Sequence, residues 1–477
     1  MRPTFGSMTA TRTDLPPETA PASPDAGGDR LPAQVALARK PLGVLASLGA
    51  ARRNVLSLIP EIATHAPMIS GWTGARWHMI MHPEALRHVL KDRVEDYPKS
   101  LVTKLILGPA VGRGMFVAEG ADWRWQRRAA APVFALRNME ALAPVMQAAA
   151  EASAARIAAA ADTGRALNLH EEMVAATFEV ISNVTFSGDA GFDRRAIHHA
   201  IDAYIAQTAK LSLLDLFAAP SWVPRPGRLF SAPITRDLKR HADAAIDARR
   251  RAGPKPVADL LDLLTTAQDP ETDRTLAPEE LRDNLLTFIV AGHETTALTL
   301  SWALYLCAFD PEVQARAQAE ARAQIGGRVA SVADLPHMPL IRQIVLESLR
   351  LYPPAAFLSR TAARDDVILG REIRRGDTVA LPIYALHRHH AHWDDPHAFR
   401  PERFAEEDKI NRFAFLPFGA GPRICIGAGF ALQEAQIILA TLLARFRFAP
   451  VAGRDPTPEM ILTLRPGGGI WLTASTA

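Results

Sequence analysis

One of the two cysteines, Cys425, ends a glycine-rich stretch just before an apolar, proline-free run from 428 to 448. Apolar residues recur at helical spacing in that run, which predicts an amphipathic helix with Cys425 at its N-terminal end. The unpaired N–H groups and the positive dipole end of a helix favour a thiolate over a thiol. Arg423, two residues earlier, could reach an anionic group beside this sulfur.

The glycines of this stretch, Gly419, Gly421 and Gly427, would let the backbone pass close to something large and flat. Two other interpretations apply to such a stretch. A single buried cysteine is usually a small hydrophobic residue. The Gly-x-Gly pattern also suggests dinucleotide binding, but the third glycine position is Ile424 or Leu432, and no βαβ unit follows. The dinucleotide interpretation therefore fails.

A second stretch whose residues could take part in chemistry lies in a proline-free run from 279 to 309. Pro278 precedes this run, and Asp310-Pro311 follows it. The run is apolar almost all round, so it predicts a long buried helix. Its middle holds the sequence Ala-Gly-His-Glu-Thr-Thr, 291–296. Polar groups are costly in a buried helix and glycine weakens it, so this defect predicts a functional site. A helix kink with satisfied hydroxyls is the alternative.

The order Phe-x-x-Gly-x-Arg-x-Cys-x-Gly resembles the haem-binding loop of the cytochrome P450 family, and the stretch in the buried helix resembles that family's oxygen-activation motif. By this resemblance the chain binds haem b, and Cys425 is the proximal thiolate ligand of the iron. Glu294 and Thr295 are the acid–alcohol pair that guides protons during activation of O2. The other matching positions are Phe418, Gly421, Arg423 and Gly427 in the loop, and Ala291 and Gly292 in the helix.

Further residues match positions that contact haem in this family. Trp123 and Arg127 are four apart and share one face of a predicted helix. The resemblance implies that they hold a haem propionate, and an ordinary arginine-rich surface is the alternative. Arg360 begins a predicted strand at the position that resembles the family's second propionate-binding arginine.

Two other motifs have structural interpretations. Glu347 and Arg350 are three apart on a predicted helix and can pair; the resemblance implies an ion-pair network that also includes Arg403. The histidine-rich stretch 387–392 has no regular tetrahedral spacing and is followed by a surface turn, so we do not expect a dedicated metal site there.

The resemblance covers roughly residues 76–477 and implies a mainly α fold with small β-sheets. We expect a disordered tail over 1–34 and a single haem domain over 35–477. Segment 101–118 is predicted to be a mobile apolar loop, the proline-rich segment 211–230 a lid, and 460–473 a β-hairpin around Pro466–Gly469. The candidate pocket walls are largely apolar: 101–118, Phe217, Trp222, 289–290, 355–358 and 460–462.

Composition limits the remaining choices. The net charge of +3 is too small to argue for nucleic-acid binding, and two cysteines are too few for a disulfide framework. No segment approaches eighteen uninterrupted apolar residues, so no transmembrane anchor is expected. We therefore expect a cytoplasmic monomer, with an amphipathic surface helix over 41–59 that could graze a membrane.

The expected reaction is insertion of one oxygen atom from O2 into an apolar small molecule, such as a terpenoid, a fatty acyl chain or an aromatic. Electrons from NAD(P)H would come through a separate ferredoxin or flavodoxin with its reductase, because no flavin or iron–sulfur segment is present. Two alternatives stay open: a thiolate-haem enzyme that consumes peroxide or rearranges a hydroperoxide, and a non-enzymatic haem sensor. The Glu294 and Thr295 pair argues against both.

Overall fold

The computed structural model describes residues 31–39, 47, 49–50, 53–72, 75–186, 226–460 and 462–477, with backbone only for 226–232. Residues Pro32–Ala477 group into one compact unit. Most of the predicted tail, the predicted lid with Phe217 and Trp222, and most of the predicted helix over 41–59 lie outside the described residues. Only Val55–Leu58 of that helix forms a complete element, a short 3-10 helix.

Helices make up most of the described chain. They are α1 (Pro83–Arg87), α2 (Leu101–Val111), α3 (Gly120–Ala130), α4 (Leu136–Ala161), α5 (Leu169–Phe186), α6 (Pro226–Ala252), α7 (Leu260–Thr265), α8 (Pro278–Phe309), α9 (Pro311–Ile325), α10 (Pro339–Leu351), α11 (Ile383–Leu386) and α12 (Ala428–Arg445). None of the described helices is long and apolar enough to cross a membrane.

The strands of the described chain form small sheets. They are β1 (Met68–Trp72), β2 (Arg76–Ile80), β3 (Leu167–Asn168), β4 (Leu358–Thr361), β5 (Asp366–Ile368), β6 (Arg371–Ile373), β7 (Thr378–Leu381), β8 (Phe446–Pro450), β9 (Thr457–Met460), β10 (Leu464–Gly467) and β11 (Trp471–Thr476). The sheet orders are β1-β2-β7-β4, β3-β11-β8, β9-β10 and β5-β6. This mainly α architecture with small sheets confirms the predicted fold class.

Helix α8 is the predicted long buried helix. It begins at Pro278, and the Glu280 carboxylate accepts a hydrogen bond from the Ala277 N–H at 2.9 Å, which satisfies one unpaired donor of the first turn. It ends before Asp310, whose carboxylate caps the next helix, α9. Because α8 packs against α5, α10 and α12, the polar stretch 291–296 runs through the interior.

Helix α12 positions the cysteine loop. It packs against α4, α8 and α9, and its first residue lies three positions after Cys425. The Cys425 N–H donates to the Phe418 carbonyl at 2.9 Å, which closes the loop before the helix begins. Gly421 has a φ of +70°, and a Cβ there would lie 2.0 Å from the Leu90 carbonyl oxygen. Gly421 is therefore required by close packing against the protein itself.

The prediction of a mobile loop over 101–118 is wrong for its first part, which forms α2. The Ser100 hydroxyl accepts from the Thr103 N–H and caps the helix, and Pro109 is tolerated near its end. The helix stops at Gly112, whose φ is +55°. Pro109 and Gly112 therefore mark the end of a helix, whereas the sequence pattern was interpreted as an irregular loop.

The segment that follows α2 is fixed to α8. The Arg113 N–H donates to the Asp283 carboxylate at 2.8 Å, and the Met115 N–H donates to the Asn284 side-chain oxygen at 3.0 Å. A Cβ at Gly112 would lie 2.0 Å from an Asp283 oxygen, so the backbone can approach α8 only because this residue is glycine.

The predicted C-terminal hairpin has the wrong register. Strands β9 and β10 form a hairpin in which Met460 pairs with Leu464, and β11 leaves to pair with β3 and β8. Gly468 and Gly469 have φ values of +79° and +80°, and they redirect the chain between the two sheets. The glycine cluster therefore changes sheets rather than forming the hairpin turn.

The predicted ion pair of α10 is present and fully buried. Arg350 donates to both oxygens of Glu347 at 2.6 and 2.7 Å. The Arg403 Nε atom lies 3.4 Å from Glu347, so the third member is also in place. Removing one partner of a buried pair leaves an uncompensated charge, so this network is costly to break. Because Arg403 belongs to it, the network fixes α10 to the segment around residue 400.

Candidate active site

Cys425 borders an internal cleft. Its side chain keeps accessible surface, yet the surrounding protein separates it from bulk water. Burial raises the pKa of the Cys425 thiol, and the Gly427 amide and Arg127 act in the opposite direction without cancelling it. The thiolate expected from the helix end is therefore not favoured in the protein alone. A coordinated metal ion would deprotonate the sulfur itself.

Trp123 and Arg127 both lie on α3, and both lie near the cysteine loop. The Trp123 ring centroid lies 5.2 Å from the guanidinium carbon of Arg423. Burial lowers the pKa of Arg127, while the nearby Cys425 sulfur acts to raise it. Helix α3 thus places the Trp123 indole beside Arg423 and the Arg127 guanidinium near the Cys425 sulfur.

A cluster of cations lies on one edge of the cleft. Arg423 forms an ion pair with Glu119, and the Lys99 N–H donates to the same carboxylate at 2.7 Å. Lys99 and Arg360 are partners in a β-bridge. Burial, with Arg423 close by, lowers the pKa of Lys99 to about 7 and the pKa of Arg360 to about 10. Lys104 also lies 3.6 Å from the Glu119 carboxylate, so four cationic side chains gather around this single carboxylate.

This cationic cluster fits a ligand with anionic arms. The Nε and Nη1 atoms of Arg423 are buried and have no hydrogen-bond partner within the described chain. Burial acts to raise the pKa of Glu119, but Arg423 holds that pKa below its usual value. The Glu119 carboxylate is therefore ionised and already paired with Arg423. The two propionates of a haem would supply the missing acceptors and negative charge.

Helix α8, which carries the polar stretch 291–296, packs against α12, the helix that follows Cys425. The Thr295 hydroxyl donates to the Ala291 carbonyl at 2.8 Å. A Cβ at Gly292 would lie 3.2 Å from the Ile181 side chain, so this glycine allows α5 and α8 to approach each other. The Thr295 hydroxyl is therefore satisfied within the helix, and this hydrogen bond holds it in a defined position.

Glu294 faces the C-terminal hairpin. Its carboxylate forms an ion pair with Arg465 and accepts a hydrogen bond from the Thr463 hydroxyl at 3.0 Å. Glu294 itself is 5% exposed, whereas the Arg465 side chain is 39% exposed. The carboxylate is thus connected toward solvent through Arg465. The sequence analysis found neither Arg465 nor Thr463, because nothing in the sequence shows which strand crosses α8.

Glu434 is another residue that the sequence analysis missed. It lies on α12, is 2% exposed, and one of its oxygens has no partner in the described chain. Burial raises its pKa well above the ordinary value, although a hydrogen bond with Thr296 acts to lower it. Glu434 is therefore a neutral acid next to the polar stretch. The only sign of it in the sequence is an isolated acid in the apolar run after Cys425.

The side chains of the histidine-rich stretch contact one another, and the expected absence of a dedicated metal site there stays a prediction. His389 and His392 stack on each other with ring centroids 4.6 Å apart. Among the residues that the structure describes, no group of three or more histidine, cysteine or acidic side chains is placed to hold a metal ion.

Comparison with known proteins identifies the family. The family model for cytochrome P450 matches residues 62–473. Cyclooctatin synthase of Streptomyces melanosporofaciens is 32% identical over 438 residues, covering 90% of this chain and 91% of the relative. Cyclooctat-9-en-7-ol 5-monooxygenase of the same organism is 32% identical over 472 residues, covering 94% of each chain.

Solved structures give the same result. The crystal structure of the cytochrome P450DA haem domain superimposes with a TM-score of 0.74 at 26% identity, covering 86% of this chain and 90% of that chain. The architecture, the cleft beside Cys425 and these similarities agree. This chain belongs to the cytochrome P450 family and is a haem-dependent monooxygenase that uses O2.

Proposed function

We propose that this monooxygenase inserts one oxygen atom into a cyclic, apolar small molecule of the terpenoid class. The observation that carries the proposal is the site beside Cys425, where Arg127 lies near the sulfur and the Arg423 guanidinium has buried donors without a partner in the described chain. Fatty acyl and aromatic compounds are the other apolar substrates considered, and the experiment below tests them in parallel.

In this proposal Cys425 ligates the haem iron, and Gly427 and Phe418 shape the loop around it. The propionates are held by Arg423, Arg360 and Lys99, with Trp123 and Arg127 from α3. Haem supplies the redox chemistry that activates O2, and a thiolate ligand favours cleavage of the O–O bond. The protein's own task is to orient the haem, to exclude water and to deliver protons.

Proton delivery is assigned to side chains of α8. The Thr295 hydroxyl can pass on a proton because it both donates and accepts, and its bond to the Ala291 carbonyl holds its position. Glu294 lies next to it and is connected toward solvent through Arg465. Glu434, a neutral acid beside Thr296, offers a second internal proton source.

Apolar wall segments and one relative support the proposed substrate class. Ile289 is 2% exposed and Met460 is 4% exposed, and no ionised side chain lies within the wall segments 289–290, 355–358 and 460–462. A pocket of this kind binds by burying apolar surface. The name of the 5-monooxygenase relative describes a cyclic alkenol, which supports cyclic terpenoids as the first compounds to test.

Electrons are proposed to come from NAD(P)H through a ferredoxin or flavodoxin with its reductase. We further propose a single haem domain over 35–477 and a cytoplasmic monomer. The fully buried Cys307, whose thiol has a pKa raised by burial, is suited to neither a disulfide nor redox chemistry.

The test is a spectral-shift screen of cyclic terpenoids, fatty acids and aromatic hydrocarbons, followed by turnover of each compound that binds. Turnover with a surrogate ferredoxin system and NADPH is compared with turnover by peroxide alone. Oxygenated terpenoid product that requires NADPH is the expected result. Efficient turnover by peroxide alone would favour a peroxygenase, and binding that is confined to fatty acids would overturn the terpenoid assignment.

The Arg423→Leu variant tests the proposed propionate site. Each charge-assisted hydrogen bond that is shielded from water contributes about 1.5–3 kcal/mol, so we expect haem affinity to fall roughly ten- to a hundredfold. The measurement is the rate of haem transfer to an excess of apomyoglobin. Arg412→Leu is the matched control, since Arg412 is an exposed arginine shortly before the same loop.

The Arg423→Leu change also leaves the Glu119 carboxylate without its partner. The double variant Arg423→Leu, Glu119→Gln removes that charge and separates the two effects. If the double variant transfers haem as slowly as the wild type, Arg423 acts only as the partner of Glu119, and the propionate assignment is wrong.

A further inference from the structure

Arg388 lies away from the cleft, just after α11, and its surroundings are unusual for an arginine. Its side chain is 1% exposed, and its guanidinium carbon lies 3.7 Å from the centroid of the Tyr384 ring and 5.9 Å from that of Tyr352. Stacking on aromatic rings stabilises a cation, but it leaves the N–H groups at the edge of the guanidinium unsatisfied.

Two of the three guanidinium nitrogens of Arg388 lack an acceptor within the described chain. Its Nε and Nη1 atoms are buried without a partner, and its side chain donates no hydrogen bond to any residue that the structure describes. Arg350, equally buried, donates to Glu347 and to the carbonyls of His387, Pro396 and Ala398. The protein interior can therefore supply hydrogen-bond acceptors for a whole guanidinium group. It does so for Arg350 but not for Arg388.

The neighbouring groups cannot supply the missing negative charge. Glu347, the acid whose charge acts on Arg388, is bound by Arg350 and lies 3.4 Å from Arg403. The Tyr352 hydroxyl donates to the Ala33 carbonyl at 2.7 Å, and the Tyr384 hydroxyl accepts from the Val35 N–H at 3.0 Å. Both hydroxyls are therefore committed to the N-terminal segment.

A second buried nitrogen lies in the same part of the protein. Arg350 Nη1 donates to the His387 and Pro396 carbonyls at 2.8 and 2.7 Å, so the residues just before Arg388 and His397 lie side by side. The Nδ1 atom of His397 is buried without a partner in the described chain. Burial first, and Arg388 second, lower the pKa of His397 to about 4, so the ring is neutral at neutral pH. In the Nδ1–H tautomer, His397 adds one more unsatisfied donor to the same region.

We propose that Arg388 and His397 bind a small monovalent anion of halide size in the interior of this domain. A water molecule could accept hydrogen bonds there, but it would leave the positive charge buried and uncompensated. Arginine cannot escape this penalty as lysine can, because it does not lose its proton in proteins. An anion satisfies the donors and the charge together.

The location suggests what the anion does. The same tyrosine rings that stack near Arg388 hold the backbone of Ala33 and Val35 through their hydroxyls. Arg388 is also adjacent to His387, whose carbonyl accepts from Arg350. The bound anion therefore stabilises the contact between the N-terminal segment and the buried ion pair of α10, and it takes no part in oxygen chemistry.

The experiment uses the haem-loaded full chain. Thermal unfolding is followed in sodium gluconate with increasing chloride or bromide at constant ionic strength. A halide at about one hundred times its dissociation constant lowers the unfolding equilibrium constant about a hundredfold, which raises the midpoint by on the order of 3 °C. The wild type and the control Arg412→Met should show this rise, and Arg388→Met should not.

Anomalous diffraction from crystals grown in bromide gives an independent measurement that does not depend on the variant folding. A bromide peak within hydrogen-bond distance of Arg388 Nε or Nη1 is the expected result. A midpoint that is insensitive to halide in the wild type, or ordered water without a bromide peak at Arg388, would overturn the proposal. An equal halide response in a folded Arg388→Met variant would also overturn it.

Discussion

Replacing Cys425 with histidine is expected to change the absorption band of the reduced, CO-bound protein from the thiolate type to the imidazole type. The same change should reduce oxygen insertion by a factor on the order of a hundred or more. The physical reason is that a thiolate donates electron density that favours O–O cleavage, and imidazole donates less. Losing about 3 kcal/mol of transition-state stabilisation corresponds to roughly a hundredfold in rate.

The matched control is the other cysteine. Cys307 is fully buried in α8, and burial raises the pKa of its thiol far above the ordinary range, so Cys307→Ala should leave the band unchanged. The spectrum and the product yield are measured on freshly purified protein at equal haem content. If wild-type protein shows the imidazole-type band, or if Cys307→Ala removes the thiolate band, Cys425 is not the ligand.

The sequence is most informative about site residues that are close together along the chain. Cys425 and Arg423 lie in one loop, and Glu294 and Thr295 lie in one turn of α8, so spacing alone brings them together. Lys99 is different. It meets Arg423 at Glu119, whose carboxylate accepts from the Lys99 N–H and pairs with Arg423. Such a contact depends on tertiary structure and leaves no periodic pattern.

The errors of the sequence analysis have a common cause in glycine and proline. Gly112 ends α2 and then approaches Asp283, while Gly468 and Gly469 carry the chain from one sheet to another. Each of these residues was taken as a sign of a loop or a hairpin turn. Glycine shows that the backbone needs freedom at a position, but whether it ends a helix, allows close packing or changes sheets depends on its neighbours in space.

The sequence also could not show which residues the Glu294 carboxylate contacts. Its position on α8 was predicted, but its partners Arg465 and Thr463 come from the C-terminal hairpin, whose register the sequence analysis placed wrongly. The pairing ties the Glu294 carboxylate to Arg465 and Thr463, at the edge of the proposed proton route. We therefore assign the final proton transfer to the Thr295 hydroxyl.

Replacing Thr295 with alanine is expected to separate oxygen consumption from product formation. The change removes one hydroxyl and its bond to the Ala291 carbonyl, so haem binding and the thiolate spectrum should survive. Electron entry does not need this hydroxyl, so NADPH consumption should continue. Without a positioned proton donor, productive cleavage of O2 should fail, and hydrogen peroxide should rise as oxygenated product falls. A loss of about 2.7 kcal/mol would change the ratio of product to peroxide on the order of a hundredfold.

The chain offers a close control one turn further along α8. The Thr299 hydroxyl donates to the Thr295 carbonyl at 2.9 Å, so Thr299→Ala removes the same kind of helix hydrogen bond outside the proposed proton route. NADPH, peroxide and product are measured together for Thr295→Ala, Thr295→Ser and Thr299→Ala. We expect serine to restore most of the coupling, because it keeps the hydroxyl, and Thr299→Ala to remain coupled. If Thr295→Ala is as well coupled as the wild type, Thr295 serves only to shape the helix, and protons reach the site by another route such as Glu434.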